Sequence, residues 1–482
     1  MSSNLKKDLI FGIFWSSGGQ LSIVLISLLT NIILARMLSP SEFGKVGVIL
    51  FFIVIANVFT RGGLAGALVR MKTVNTKDYS TVFIFNLVIS VICYLLLIAF
   101  SSEISIFYND PGLADLLIFI GTVLILNSLY LVNTAKLMRE LRFKEKTIYE
   151  LCAVIISSIF GIYMASNGFG VWSLVYMQIS NSLTMLLLLK IFASVKINFI
   201  FSKRSFRKLF SFGANTTLAS IINTTFENIY HLILGKYFSI SQVGYYYQAN
   251  KIQSVPNGIL NTISQSVVFS SLSKVQNDLP VFVNLYQKII VLFTIGTALI
   301  ASLIYLFSEE IIQILFTAEW LRSVFYLKIL ILASFFYMQE QFNRVVFKVF
   351  DKTKKILGLE LVKKGIQSIT ILVGVVTKNL DILLYGYVFT SIISYFINLN
   401  ASRKIIKINN LREEINTVGK ILICSVLSGG FYIAIKLGFN LSGVKNLLFI
   451  PIVVLIYFFL LKKIQVFDCW KECRKVYQLI IN

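Results

Sequence analysis

The stretch YSTVFIFNLVISVICYLLLIAF, at residues 79–100, decides the fold class of this chain. It runs for 22 residues without a charged side chain. A helix of that length rises about 33 Å, enough to cross the roughly 30 Å hydrocarbon core of a bilayer. We therefore predict a transmembrane helix at this position.

Similar apolar segments recur along the whole chain, and with this one the sequence predicts 14 spans. Runs of about 20 residues favour membrane helices over the alternating strands of about 10 residues that build outer-membrane barrels. The predicted fold class is thus an all-α polytopic membrane protein with about 14 transmembrane helices. The segments cover residues 9–34, 43–68, 79–100, 113–132, 148–166, 171–189, 209–234, 244–272, 285–307, 324–347, 357–377, 382–401, 418–435 and 446–461.

The composition agrees with a membrane protein. Of the 482 residues, 57% are hydrophobic and 14% are charged, against roughly 45–50% and about 25% in soluble proteins. A soluble globule cannot hide that much apolar surface. Soluble enzymes, disordered chains and secreted disulfide scaffolds are therefore excluded.

The charges divide unevenly between the two sides of the predicted membrane. With charged residues near the end of a span counted with the adjoining gap, the side of the N-terminus holds 34 of the 45 lysines and arginines, and we call this the basic side. The other side holds 8 and is called the neutral side, while Arg61, Lys251 and Arg344 fall within spans. The positive-inside rule makes the basic side cytoplasmic, with both termini there. Because topology explains the net charge of +23, no nucleic-acid partner is expected.

The sequence lacks the residues that several kinds of enzyme or metal site require. The longest polar gaps are about 16 residues, too short to fold as a catalytic domain, and there is no phosphate-binding loop ending in Gly-Lys-Ser/Thr. His231 is the only histidine, which excludes His-rich metal sites. We expect a non-enzyme without a metal or cofactor. The cysteines are expected to be core filler within spans or, on the C-terminal tail, half a zinc site at best: Cys93, Cys152, Cys424, Cys469 and Cys473.

Two stretches 200 residues apart indicate an internal repeat. Residues 33–44 read ILARMLSPSEFG and residues 233–244 read ILGKYFSISQVG, with five of the 12 positions identical. A second echo pairs Glu103 with Glu310, each following the third span of its half. Parallel repeats of this kind are a transporter architecture. We predict two six-helix bundles, at residues 1–200 and 201–405, followed by two extra helices and a cytoplasmic tail at residues 406–482.

Motifs spread over about the first 350 residues resemble those of polysaccharide exporters of the multidrug/oligosaccharidyl-lipid/polysaccharide (MOP) superfamily, in the O-antigen and colanic-acid branch. The resemblance implies two six-helix bundles around a central cavity, alternating access, and residence in the bacterial inner membrane. The motifs are ALVR at 67–70, DYSTVFIFN at 78–86, LRFK at 141–144, GFGVWS at 168–173, LFSFG at 209–213, LGKYF at 234–238, GYYYQA at 244–249 with Pro256, and LFTAEW at 315–320.

The resemblance also implies a function. A flippase of this branch moves oligosaccharide repeat units on undecaprenyl pyrophosphate to the outer leaflet for lipopolysaccharide or other surface polysaccharide, and the polymerase machinery is a further expected partner. A proton or sodium gradient would drive it if transport is ion-coupled. Two alternatives stay open: a cation-coupled multidrug antiporter of the same superfamily, and a membrane glycan polymerase or ligase. Basic in-span residues argue against the first, and the missing external catalytic loop argues against the second.

Polar side chains within spans are the candidate substrate site, because a charge in hydrocarbon normally faces a cavity or a partner. Arg61 and Lys251 are predicted to hold the pyrophosphate, with Asn57 one turn before Arg61. Gln20 could hydrogen-bond sugar hydroxyls or another helix, and Gln248, on the same side of its span as Lys251, is a further candidate for substrate binding. For Arg61 a structural role is the alternative.

Coupling is predicted at Glu227 and His231, which share a helix face. A depth of about 12 Å for Glu227 and about 10 Å for Lys251 also allows a structural ion pair between them. The alternative for His231 is an interfacial aromatic side chain.

Three further features are predicted from local pattern. Pro256 removes a helix hydrogen bond and is the candidate hinge. Glu340 and Arg344, four apart, are expected to form a local ion pair with the arginine snorkelling to the interface. Residues 201–212 read as a basic amphipathic helix lying on anionic headgroups between the two halves.

Overall fold

The computed structural model describes residues 3–61, 63–71, 73–407, 411–438 and 443–467, and within them all regular secondary structure is helical, with no strand. The predicted all-α fold class is confirmed. The first half contains α1 (Ser3–Ala35), α2 (Pro40–Arg61), α3 (Leu64–Arg70), α4 (Thr76–Ala99), α5 (Ser101–Tyr108), α6 (Gly112–Arg139), α7 (Phe143–Ser166) and α8 (Trp172–Phe192).

The second half repeats this order of elements. A long helix is again followed by a broken one, a long one, a short one on the neutral side and three long ones, which supports the predicted repeat. These are α9 (Lys203–Tyr237), α10 (Ile240–Ile263) with a π-helical turn (Ser264–Val268) and α11 (Phe269–Lys274), α12 (Leu279–Leu306), α13 (Ser308–Leu315), α14 (Ser323–Val349), α15 (Thr353–Val376) and α16 (Leu380–Ile406). The extra helices are α17 (Leu411–Gly438) and α18 (Ile450–Lys463), joined by a 3-10 turn (Gly443–Phe449).

Each of the 14 predicted segments coincides with a long helix or a broken helix. Eleven of the described helices are long and apolar enough to cross a membrane by length and composition. The other three long helices are α9, α10 and α15, which carry polar and charged residues within their apolar runs. The number of spans is therefore approximately 14. Two of the three exceptions, α9 and α10, carry the predicted site residues Glu227, His231, Gln248 and Lys251.

The helix ends follow from local sequence. Asn75 begins α4 with a capping box: its Oδ1 accepts from the backbone N–H of Asp78 at 2.9 Å, and Asp78 Oδ2 accepts from the backbone N–H of Asn75 at 3.0 Å. Between α2 and α3 the chain passes through Gly63 at φ 62°, a left-handed conformation that favours glycine. Gly63 thus marks the boundary between α2 and α3.

By its contacts the chain divides into two compact units, Met1–Tyr247 and Gln248–Asn482. The first unit includes α9 and the first turns of α10, which pack on α2. The predicted domain limits at residues 200 and 405 stay a prediction, because they describe repeats rather than packing units.

The basic segment at residues 201–212 forms the beginning of α9, not a separate surface helix. Leu209 is buried in a cluster with Leu64 and Leu68 of the second span. Phe206 packs against Phe85 with a ring-centroid distance of 5.3 Å. The protein covers Leu209, whereas Phe210 is 42% exposed, so the placement on headgroups stays a prediction. The amphipathic pattern is real, because the basic residues remain exposed: Lys203, Arg204, Arg207 and Lys208.

The extra helices are fastened to the second repeat by a buried carboxylate on the neutral side. Glu310 of α13 is 1% exposed. Its Oε1 accepts from Asn446 Nδ2 at 2.6 Å and from Lys436 Nζ at 3.1 Å. A buried charge of this kind requires such partners. We call these three residues the Glu310 pin; it joins α13 to α17 and to the turn before α18.

Candidate functional site

A row of polar side chains connects α2 and α6 in the first unit. Asn57 is half-buried, and its Oδ1 accepts from Asn127 Nδ2 at 3.2 Å. Asn127 Oδ1 in turn accepts from the Tyr130 hydroxyl at 2.8 Å. Asn127 and Tyr130 were not predicted as site residues, although both are polar groups within a predicted span or at its end.

Arg61 lies beside this row at the last residue of α2. Its side chain is exposed, and the guanidinium lies close enough to Tyr130 to act on the phenol electrostatically. No carboxylate forms an ion pair with Arg61 in the part of the chain that the structure describes. The structure thus brings Asn57 and Arg61 to one place, as predicted. An exposed guanidinium next to amide and phenol groups can bind an anion and hydrogen-bond neighbouring hydroxyls.

The other predicted substrate residues lie elsewhere. Gln20 is exposed on α1, next to Gly19, which packs closely on Thr147 of α7. Gln248 is fully buried in α10, whereas Lys251 is exposed one turn later in the same helix. Their roles as substrate contacts stay predictions.

The two candidate coupling residues differ in environment. His231 is buried, with its ring 5.1 Å from the ring of Tyr246 and 6.0 Å from that of Tyr247. Glu227, one turn earlier on α9, is exposed. Glu227 belongs to the first unit and Lys251 to the second, so their pairing stays a prediction.

The irregular part of the eighth span lies beyond the predicted hinge. Pro256 sits within α10, which is continuous to Ile263. The hydrogen-bond pattern changes only at the π-helical turn Ser264–Val268. Such turns often mark functional positions. A hinge at Pro256 stays a prediction, and the π-helical turn is a second point at which this span departs from regular geometry.

The second unit holds a buried network of charges that was not predicted. Lys363 of α15 donates to Glu340 and, at 2.6 Å, to Glu360. Arg344 pairs with Glu360 at 3.1 Å, and Asn398 of α16 donates to Glu340 at 3.0 Å. The predicted local pair between Glu340 and Arg344 is therefore wrong: both residues pair across to α15, because neighbouring helices offer closer opposite charges.

Further polar contacts surround this network on α14. Gln339 accepts from Thr294 at 3.0 Å and donates to Thr297 at 2.8 Å, both on α12. Asn343 Oδ1 accepts from Tyr286 at 2.9 Å and from Ser402 at 2.8 Å. Every one of these side chains is satisfied by protein, so α14 serves as the polar centre of the second unit and not as an open site.

The cysteines give no site in the described residues. Cys424 is buried, and Cys93 and Cys152 are half-buried. Cys469 and Cys473 lie outside the described residues.

Comparison with known proteins identifies a matching family and several relatives. A family model described as polysaccharide biosynthesis protein matches residues 33–325. The succinoglycan biosynthesis transport protein ExoT of Rhizobium meliloti (strain 1021) is 26% identical over 294 residues, which cover 60% of this chain and 58% of that protein. The lipopolysaccharide biosynthesis protein WzxC of Escherichia coli (strain K12) is 25% identical over 324 residues, covering 66% of this chain and 65% of that protein. The matched segment thus spans less than two thirds of either relative.

The fold has a counterpart among solved structures. The lipid II flippase MurJ in its inward closed conformation matches with a TM-score of 0.70 at 16% identity, covering 92% of this chain and 97% of that one. At this identity the match speaks for the fold alone. Together with the family match over more than half of the chain, it confirms the resemblance carried by the sequence motifs, and this multi-pass membrane protein belongs to the polysaccharide biosynthesis protein family.

Proposed function

We propose that this protein is a flippase that carries lipid-linked oligosaccharide repeat units from the basic to the neutral side of the bacterial cytoplasmic membrane. The observation that carries the proposal is the exposed guanidinium of Arg61 beside the row Asn57–Asn127–Tyr130. A phosphate-linked sugar offers an anion and hydroxyl groups, which are the partners that such a site binds. The family membership and the transport role named for ExoT support the same class of cargo.

The specific carrier in this proposal is undecaprenyl pyrophosphate. Its two phosphates would meet Arg61, and Lys251 is the second proposed contact. Both termini would lie in the cytoplasm, following the charge asymmetry of the loops. The cycle would be driven by a proton or sodium gradient acting through Glu227, with a polysaccharide polymerase consuming the exported units.

A cation-coupled drug antiporter is the second candidate, and the charges of the described residues disfavour it. A binding site for organic cations requires an unneutralised carboxylate. Three of the buried carboxylates carry basic partners instead: Glu310 with Lys436, Glu340 with Lys363, and Glu414 with Arg403. In this proposal the protein is a transporter and not an enzyme.

Deletion of the gene in its host tests the proposal. Loss of the flippase should leave unpolymerised lipid-linked repeat units in the inner leaflet, and a plasmid copy should restore their export. Accumulation of such units in the outer leaflet would instead indicate a polymerase. Unchanged surface polysaccharide together with drug sensitivity would indicate the antiporter.

A further inference from the structure

The two repeated stretches contact each other on the neutral side, and the contact is reciprocal. A Cβ atom built on Gly44 would lie 1.9 Å from the carbonyl oxygen of Ile240. A Cβ atom built on Gly244 would lie 1.9 Å from the carbonyl oxygen of Pro40. Since residues 40 and 240, like 44 and 244, are offset by 200, each contact is the symmetry mate of the other.

A second pair of contacts obeys the same offset. The rings of Phe43 and Tyr247 lie 6.0 Å apart, and their symmetry mates Val243 and Gly47 also touch. A Cβ atom on Gly47 would lie 2.8 Å from Val243 Cγ1. Self-complementary contact of this kind is typical of a two-fold interface. We call these eight residues the glycine seam: Pro40, Phe43, Gly44, Gly47, Ile240, Val243, Gly244 and Tyr247.

The seam is built from backbone and apolar atoms. Its closest approaches place a glycine Cα against a carbonyl oxygen, a weak contact that small residues permit between membrane helices. Around it, the Tyr108 hydroxyl donates to Leu232 O at 3.2 Å, and Lys236 Nζ donates to Phe107 O at 2.6 Å.

This composition suits a contact that must form and part. Weak apolar and backbone contacts can separate without leaving an unpaired charge, in contrast to the buried ion pairs of the second unit. The fit is nevertheless exacting, because real Cβ atoms stay at least 3.0 Å from such an oxygen. Any side chain at position 44 or 244 would hold the two stretches about 1 Å farther apart.

We propose that the glycine seam is the reversible closure of the transport path on the neutral side, and that Gly44 and Gly244 set the distance at which it shuts. The proposal rests on the proposed transport function. The two repeats contribute equivalent surfaces, so substitution of either glycine has the same consequence.

The first test measures opening of the seam by cysteine labelling and does not require a measurement of transport. Val243 is fully buried in the seam. In a chain with its native cysteines replaced, Val243→Cys reports opening by its reaction with a membrane-impermeant maleimide added from the neutral side. Gly44→Ala and Gly244→Ala should each raise the labelling rate about tenfold or more, the size of shift that overpacking produces in a two-state equilibrium.

Two other glycines supply matched controls. Gly66→Ala and Gly258→Ala have open space within 4 Å of the new Cβ and should label at the parent rate. All four substitutions raise helix propensity alike, so a difference between the pairs reflects the seam. Parent-level labelling of Gly44→Ala or Gly244→Ala would overturn the proposal.

The second test locks the seam and does not depend on the alanine variants folding. Gly47→Cys combined with Val243→Cys places the two Cβ atoms no more than about 4.3 Å apart, within the range of a disulfide. Oxidation should abolish export and reduction should restore it, while the export of each single-cysteine variant, whatever its own level, should not change between oxidised and reduced conditions. Normal export by the oxidised double variant would refute the closure. If the host exports no lipid-linked sugar through this protein, the proposed function fails, whereas the labelling test still decides the seam.

Discussion

Arg61 is exposed at the last residue of α2. In the proposed function its positive charge binds the anionic part of the substrate. We expect Arg61→Ala to reduce export about tenfold or more, because a charge-assisted hydrogen bond contributes roughly 1.5–3 kcal/mol. Arg61→Lys should retain part of the activity, since the positive charge remains. Export of labelled lipid-linked sugar in everted vesicles measures both. Lys190→Ala, at an exposed position on α8, is the control for charge removal, and normal export by Arg61→Leu would show Arg61 to be structural or idle.

Lys363 holds two carboxylates in the interior of the second unit, so its removal should be costly. Lys363→Met leaves Glu340 and Glu360 without their shared ammonium, and we expect a loss of about 3–5 kcal/mol. Adding Glu340→Gln should recover much of this, because Glu360 keeps Arg344 as its partner. Thermal unfolding in detergent measures both variants. A double variant as unstable as Lys363→Met would argue against this pairing.

Glu227 is the residue at which coupling and ion pairing make different predictions. We expect Glu227→Gln to lower export and to remove its dependence on the ion gradient. If Glu227 served only to pair with Lys251, adding Lys251→Met would restore activity, because no charge would be left unpaired. We expect no recovery. Export with and without a gradient, measured beside expression of each variant, separates the two roles.

At this scale the sequence identifies polar residues but not their partners. Arg61, Glu340 and Arg344 stand out because each interrupts an apolar run. Spacing within one helix favours a pair between Glu340 and Arg344, yet packing brings Lys363 and Glu360 of the next helix closer. Lys363 lies in the first two turns of the predicted span at residues 357–377, so its charge is assigned to the adjoining basic gap and not to a buried pair. Which helices neighbour each other decides such pairs, and a single helix does not contain that information.

Among the elements, the second span shows how glycine sets a helix boundary. Gly63 has a φ of 62°, where a Cβ costs roughly 1–2 kcal/mol. We expect Gly63→Ala to destabilise the protein by about 1 kcal/mol, whereas Gly66→Ala, inside α3, should be neutral or slightly stabilising. Thermal unfolding of the two variants makes the comparison. Equal midpoints would show that the break tolerates a side chain.

The elements themselves could be predicted well from hydropathy. Apolar runs of membrane length leave little freedom, because every backbone group in lipid must be satisfied within a helix. The break at Gly63 was not predicted, since the apolar run continues through it to residue 68. The π-helical turn Ser264–Val268 was not predicted either, because its sequence SQSVV contains no glycine or proline to signal it. The short helices α5 and α13 were likewise hidden, since each follows a span without a clear break.

For the molecule as a whole, the orientation rests on the charge asymmetry of the loops. Reporter fusions at Ser105 and Phe316 should indicate the external side, and a fusion at Lys144 the cytoplasmic side. Alkaline phosphatase and green fluorescent protein are suitable opposite reporters. A reversed result at any of the three positions would contradict the assignment of the basic side to the cytoplasm.

Part of the organisation of the whole molecule could be predicted from the sequence. The offset of 200 residues predicted two copies in one orientation, and the order of the helices repeats accordingly. No feature of the sequence indicates that the two matching stretches touch. That contact depends on a pair of close backbone approaches, and glycines occur for many other reasons in membrane helices.

The Glu310 pin can form only late in synthesis, because both partners of Glu310 lie far downstream in the chain. Its carboxylate is synthesised 126 residues before Lys436 and 136 residues before Asn446. At roughly 5–20 residues per second, the ribosome needs about 6–25 s to supply the first of these partners. Throughout that interval the nascent chain carries an unmatched acid next to an already inserted helix. A message that ends before residue 436 would yield a chain in which Glu310 lacks both partners, so the pin forms only once synthesis has reached the extra helices.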